Sequence, residues 1–474
     1  MSIKVLPVTH ERMAAELPTT EPNSPSPGPP TAVDIVSPGM VLTPWGDSSQ
    51  LRDKALPPGR TTTPAEAEQN HRERLFGAMV ANVAEQGYEA TTIDDLVELS
   101  GVSRSAFYKH FSDKRHCFLA AIEALLGPAL AAASAALAPG GEPPGDPEGT
   151  RKAFEGLIGA VAAQPAAAKL CVVEVYAGGT EAVALLDRAA DSCEQLGSLV
   201  LDGLGREGMP PELVRALVGG VQKVIHKRLY QGRPEELVEL APQLWEWLFL
   251  YPPPPGPLRG PRRRTLRALP FEERQAASNP TERLLRGLAA VVAEKGYPET
   301  TIADIIERAG TSYRAFYEHF ENKEEAVVAA LDVGSLQMLA AALPAFRMAK
   351  DWEDAVRGTQ EAMFLFGVQE PEYARLGAVE MYAAGTRALE QREKITEQME
   401  ALLEKGYEIA PEIPAITGEA IGGALYSLFY EHVKHKGPER LAELVPWAVY
   451  VTLTPFVGGE RAYEVATGSG SGGG

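Results

Sequence analysis

Apolar residues recur along this chain every three or four positions rather than every second one. Leu75, Phe76, Met79 and Val83 form one such stripe, on a helix that the pattern starts near Glu66. Gly87 ends it in the manner of a left-handed cap. Thr92 opens a second helix, with Asp95 three residues on as its capping-box partner, and Ile93, Leu96 and Val97 face inward. Gly101 makes a turn, Ser103 caps a short third helix, and Phe111-Ser112-Asp113-Lys114 starts a fourth. Helical patterns then run to about Leu250, with breaks at 139–147, 178–179, 208–211 and 232–234. Nothing between the breaks alternates as a half-buried strand does, so the pattern predicts an all-α chain.

The pattern is written twice. Residues 73–114 match residues 282–323 without a gap, with 22 of 42 positions identical. The second copy opens at Asn279-Pro280, an N-cap followed by proline at the first helical position. Its apolar stripe is Leu284, Leu285, Leu288, Val291 and Val292, and Gly296, Thr301 and Asp304 repeat the punctuation. Weaker matches follow. Ala168-Lys169-Leu170 with Glu174, Tyr176 and Thr180 is echoed by Ala374-Arg375-Leu376 with Glu380, Tyr382 and Thr386. The expected organisation is a disordered Pro-rich tail over 1–65, a first head over 66–120 and a first helical body over 121–251. A Pro/Arg-rich linker over 252–278 leads to a second head over 279–330, a second body over 331–460 and a Gly/Ser tail over 461–474.

Composition narrows the classes. The chain has 474 residues, 45% of them hydrophobic and 23% charged, the balance of a soluble globular protein. No apolar leader opens it and no run of about 18 uninterrupted apolar residues crosses it, so a cytoplasmic protein without a membrane partner is expected. Its three cysteines lack Cys-x-x-Cys spacing and read as small buried thiols. No nucleophile–base signature, phosphate loop or metal-ligand spacing is present, so no catalytic residue, metal or cofactor is assigned and an enzyme is not expected. His432 and His435 read as a solvated helix face. The net charge is −19. That repels a polyanion at long range, but salt screens it beyond about 8–10 Å, so a local basic patch can still neutralise phosphates.

Helix, glycine turn and short helix make a helix-turn-helix, whose second helix enters the major groove and meets base edges with its first residues. Arg104, Ser105 and Lys109 lie on the outer face, and Arg or Lys can bond guanine O6 and N7. Tyr108 can offer its hydroxyl to a phosphate, and Lys114 adds a cation beside helix N-terminal amides. The pattern Gly87-Tyr88, Thr91-Thr92-Ile93, Gly101-Val102-Ser103 and Phe107-Tyr108-x-His110-Phe111-x-x-Lys114 resembles the head of the tetracycline-repressor (TetR) family, and so does the copy at 296–323. The motif covers about a tenth of the chain in each copy.

The resemblance implies an all-α transcription factor, most often a repressor released by a small molecule, with a helical body that binds the effector and dimerises. Double-stranded DNA and a small-molecule effector of unknown identity are the implied partners. The positions expected at DNA are Thr92, Ser103, Arg104, Ser105, Tyr108, Lys109, His110 and Lys114 in the first head. Their counterparts are Thr301, Ser312, Tyr313, Arg314, Tyr317, His319 and Lys323. Glu174, Tyr176, Glu380 and Tyr382 are either polar groups of a ligand pocket or buried hydrogen-bonded pairs.

Family members carry one head per chain, and this chain carries two. The expectation is an internal pseudo-dimer that can address a non-palindromic operator, with further pairing between chains left open. The two heads differ in charge. Residues 103–115 sum to +3 (Arg104, Lys109, Lys114 and Arg115 against Asp113). Residues 312–324 sum to −1 (Arg314 and Lys323 against Glu318, Glu321 and Glu324). The second head is therefore expected to bind more weakly, and the alternative for the chain is a ligand-sensing or protein-interaction scaffold with one or both heads no longer binding DNA. Arg259, Arg262, Arg263, Arg264 and Arg267 upstream of it read either as a groove-contacting arm or as a solvated linker.

Overall fold

The computed structural model describes residues 40–56, 63–259, 271–276, 279–380 and 400–469. Thr63 caps the first helix through a reciprocal bond pair with Glu66, and Pro64 takes its first position, so α1 is Pro64–Ala90. The chain kinks inside it at Gly87, whose φ of 81° and ψ of 163° lie outside the left-handed helical cap expected there. A side chain is strained at that φ, which explains a glycine in both copies: Gly296 takes 82° and 156°. Helices α2 (Ile93–Ser100) and α3 (Arg104–His110) follow, and Gly101 between them is left-handed. The first body is α4 (Lys114–Leu137), α5 (Pro147–Ala163), α6 (Pro165–Val172), α7 (Thr180–Gly203), α8 (Pro211–Tyr230) and α9 (Glu236–Leu248).

After a short helix α10 (Phe271–Ala276) the plan repeats. The second head is α11 (Pro280–Lys295), α12 (Ile302–Ala309) and α13 (Tyr313–Tyr317). The second body is α14 (Lys323–Met348), α15 (Trp352–Gln369), α16 (Pro371–Arg375), α17 (Glu404–Ile409), α18 (Thr417–His435), α19 (Val445–Val457) and α20 (Gly459–Thr467). Helices α4 and α14 are long and apolar enough to cross a membrane by composition, which a search for uninterrupted apolar runs overlooks. Each buries its first turns in a head core: Cys117, Phe118, Ala121 and Ile122 in α4, Ala326, Val327, Ala330 and Leu331 in α14.

Three stretches read as tail or linker carry structure. Val41–Leu51 is pinned to the first head. Leu42–Thr43 pairs antiparallel with Gly46–Asp47, Trp45 packs on Phe76, and fully buried Leu51 sits over Gly77. The polyproline stretch lies against the second half: Pro252 O accepts from Tyr450 Oη at 2.7 Å, and Leu258 is buried in the central core. Residues 461–467 belong to α20, which buries Ala462 and Ala466. In each case a few isolated apolar residues in a Pro/Gly-rich background find a tertiary partner, and such contacts leave no local periodicity.

The two halves meet through equivalent helices. α8 and α18 pack along one another, and their apolar residues share one core with those of α9 and α19. Each brings a diglycine to the crossing, Gly219-Gly220 and Gly422-Gly423. A Cβ on Gly219 would lie 2.3 Å from Cβ of Ser427, and one on Gly423 2.3 Å from Cβ of Lys223. These two contacts are mirror partners across a pseudo-twofold axis. The flanking ion pairs obey the same symmetry with charge reversed. Arg215 faces Glu431 at 3.7 Å, and its counterpart Glu419 faces Lys227, the counterpart of Glu431, at 3.6 Å. Tyr251 Oη also donates to Val451 O at 3.0 Å across the seam.

Candidate nucleic-acid interface

The first recognition helix is set by its caps and its buried face. Thr92 Oγ1 accepts from Asp95 N, and Ser103 Oγ accepts from Ala106 N, both at 3.2 Å. Phe107 and Phe111 are fully buried against the α1 stripe, so one side of α3 is fixed on the core. The opposite side shows Arg104, Ser105, Tyr108 and Lys109 to solvent, with Tyr108 50% exposed. Arg104 is held by Asp94 of α2 at 2.7 Å, an exposed pair of little stability that presets the guanidinium at the helix N-terminus. Lys109 makes no ion pair among the described residues.

The second head repeats the frame and changes the charges. Thr301 and Ser312 cap α12 and α13 as their counterparts do. Tyr313 and Tyr317 are exposed, and Phe316 is buried. Glu318, standing where the first head has Lys109, binds Arg314 Nε at 2.8 Å. The cation on this recognition helix is thus answered by the residue at the helix C-cap. α13 is also two residues shorter than α3.

Several sequence expectations change here. Lys114 and Lys323 were expected at phosphates. Lys114 Nζ instead donates to the carbonyls of Tyr88 at 2.8 Å and Glu89 at 3.3 Å and lies 4.1 Å from the Tyr88 ring centroid. Lys323 does the same with Tyr297 O at 2.7 Å, Thr300 O at 2.8 Å and the Tyr297 ring at 4.1 Å. Burial lowers the pKa of both ammonium groups. These lysines bind the kink at the end of α1 or α11 to the start of the body.

His110 faces inward rather than toward DNA, with Nε2 3.3 Å from Nδ1 of His71. Burial lowers the pKa of both rings. His319 stays exposed, 3.3 Å from Thr281 Oγ1. His432, read as solvated, is buried and bonded to Arg440 O at 2.8 Å.

Glu174 and Tyr176 sit at junctions between elements. Glu174 Oε2 accepts from Tyr88 N at 3.2 Å and pairs with Lys169 at 3.8 Å, joining the body to the same kink. Tyr176 packs against both the first-head core and the second-head core, so it bridges the halves. The side chain of Glu380, the whole of Tyr382, and Arg262, Arg263, Arg264 and Arg267 lie outside the described residues.

A cavity of about 250 Å³ lies instead in the second body, bounded by α14, α15, α16, α18 and α19. Thr359, Gln360 and Tyr373 are among its polar lining groups, and no motif in the sequence singles them out. The signal that could have found them is a reciprocal exchange between the halves: Gly334 and Tyr373 stand where the first half has Leu125 and Ala167.

A family model agrees with the geometry of the heads. The model of the bacterial regulatory proteins of the tetR family matches residues 80–121 and again 284–330, one head each. No curated protein matches the chain. Among solved structures, the fatty acid degradation regulator FadR from Bacillus halodurans is 18% identical with a TM-score of 0.35 and covers 38% of this chain and 95% of its own. A TetR family regulator from Marinobacter aquaeolei is 21% identical, with a TM-score of 0.29 and coverages of 36% and 96%. The TetR family regulator PfmR from Thermus thermophilus is 22% identical, with a TM-score of 0.32 and coverages of 38% and 98%. Likenesses this distant lend nothing on function. The family's head motif occurs twice, at the two places where the chain builds a helix-turn-helix: the chain carries two DNA-binding heads of the tetR family in tandem.

Proposed function

We propose that this chain acts as a single-chain pseudo-dimer that sets two unlike heads on one operator, with the first head as the main reader, and that a small molecule in a body controls it. The observation that carries this reading is the α8–α18 seam, which pairs the two halves inside one polypeptide. Two heads so paired can address half-sites about one helical turn apart, and their different faces suit a non-palindromic sequence. Covalent linkage replaces a second-order assembly step by a high effective concentration. Arg104, Ser105, Tyr108 and Lys109 are the contacts assigned to the first head, and Tyr313, Arg314 and Tyr317 those of the second. One observation favours a second reading of the second head alone. The Arg314–Glu318 pair leaves its helix without net positive charge, which suits a head that orients the molecule and adds little affinity.

Anisotropy titration of the full chain with duplexes selected from a random pool tests this. One chain per duplex is expected, with log K falling linearly with log salt. Lys109→Ala flattens that slope by about 0.9 for the lost phosphate neutralisation. Lys114→Met leaves the slope in place and costs about 1–2 kcal/mol of stability through its lost carbonyl bonds. A chain that retains no duplex at low ionic strength would falsify the reading.

A further inference from the structure

The cavity in the second body is lined mostly by apolar side chains, among them Leu331, Met338, Phe346, Val356, Phe364 and Phe429. Three polar atoms in its wall have no hydrogen-bond partner among the described residues: Tyr373 Oη, Gln360 Oε1 and Thr359 Oγ1. Tyr373 and Gln360 are each only 6% exposed, and leaving such a group unpaired costs about 1–3 kcal/mol. Gln360 has already spent its amide on Thr452 Oγ1, at 2.5 Å, which leaves its carbonyl oxygen as a pure acceptor. Burial raises the pKa of the Tyr373 phenol, so it stays a donor across the physiological range.

The first half fills the same places. Helices α5 and α15 end alike, each followed by a proline that starts the next helix, and this register sets Gln360 opposite Phe154, Thr359 opposite Ala153 and Tyr373 opposite Ala167. Phe154 packs on Trp245, with ring centroids 5.6 Å apart. A Cβ on Gly334 would meet the Tyr373 ring at 3.0 Å, and the first half instead puts Leu125 there beside Ala167. The polar wall therefore belongs to the second half alone.

Resting on the regulator reading above, we propose that this cavity binds one uncharged, largely apolar small molecule per chain, which accepts a hydrogen bond from Tyr373 and donates one to Gln360. Its volume equals about eight waters at ~30 Å³ each, the size of a single substituted ring. An anion is disfavoured, because the described lining residues include no Lys, Arg or His to neutralise it. The occupant bears directly on the second head, since Ala330, Leu331 and Tyr373 belong to both the cavity wall and that head's core. Behind Tyr373, Arg286 lies 5.7 Å from its ring centroid and pairs with Glu370, which also holds Arg274 at 2.8 Å. Ligand contact is thereby carried to α11 and to the linker helix α10.

The test is calorimetric titration of the full chain with benzamide, which offers one acceptor and one donor on an apolar ring, and with benzoate, its anionic match. Benzamide is expected to saturate at one per chain, and benzoate to bind at least about tenfold more weakly. Tyr373→Phe and Gln360→Leu each weaken benzamide about 5–10-fold, as the loss of one hydrogen bond predicts. The melting temperature of free Tyr373→Phe holds or rises, because it removes an unpaired buried group, whereas Gln360→Leu also gives up the bond to Thr452 and should melt lower. Phe154→Leu in the first half leaves the affinity unchanged. Absence of saturable benzamide binding, two equal sites per chain, or a Tyr373→Phe variant of unchanged affinity overturns the proposal. Duplex retention by the same unliganded preparation is read separately, so a chain that keeps DNA and ignores benzamide loses this inference and retains the regulator reading.

Discussion

The two heads share a frame and differ in what they present. Thr92 and Thr301, Ser103 and Ser312, Phe107 and Phe316, and Lys114 and Lys323 occupy matching places and make matching contacts. The outer faces have parted. The first shows Arg104 and a Lys109 without an ion pair among the described residues, and the second shows two tyrosines and an arginine already matched by Glu318. The bodies have parted the other way, with unpaired buried polar groups facing a cavity in the second and an aromatic pair in the first. Once two copies are joined, selection need no longer keep them alike, and only the residues that build the frame stay fixed.

The seam shows the same logic in its charges. A symmetric pair of first halves would set Arg215 against Lys227, and a pair of second halves would set Glu419 against Glu431. The observed pairing matches opposite signs at both places. Like charges facing one another are a repulsive device against wrong partners. The seam therefore favours union of unlike halves.

The largest blow to the comparison is steric. Gly423→Leu forces a side chain into the crossing, where even a Cβ would sit 2.7 Å from Gly219 O, and should cost about 3 kcal/mol or more and separate the halves. Urea unfolding monitored at tryptophan should then split into two transitions, and a single unshifted transition would remove the diglycine crossing from the account. Next comes Arg215→Glu, which places like charge against Glu431 and also Glu194, the latter otherwise held at 2.9 Å. A loss of about 1–3 kcal/mol is expected for these partly buried pairs. Adding Glu431→Lys should recover part of it, whereas strict additivity of the two changes would mean that they do not interact.

Glu318→Lys sharpens the contrast between the heads. It releases Arg314 and restores a cation at the Lys109 position, so duplex affinity should rise and the salt slope steepen by about 0.9. An unchanged slope would mean that α13 does not face phosphate.

The smallest effect is a pH dependence confined to the first head. His71 and His110 have folded pKa values below their unfolded ones, chiefly through burial, so the folded state binds fewer protons. Their contribution is fully present above about pH 6.5 and is lost as pH falls through the depressed folded values. The first head should loosen in mild acid by hydrogen exchange before the second, where Thr281 stands beside His319. His71→Gln should narrow that difference.

The sequence by itself settled the head helices, their N-caps, the duplication and the exposed face of the first recognition helix. These follow from contacts within a few residues or from repetition, and both are written locally. Gly101 and Gly310 announce the turn, and Ser103 and Ser312 the short helix behind it. Tertiary structure decided the rest. Lys114 reads as a phosphate ligand until the kink at Gly87 brings two carbonyls to it. Leu51 and Leu258 read as tail and linker until distant cores close over them. Tyr373 carries no local signal in the sequence, and only the tertiary packing sets its ring against Gly334 at the wall of a cavity. A helical stripe records that a side chain is buried. What it is buried against depends on residues far along the chain, and no local period encodes them.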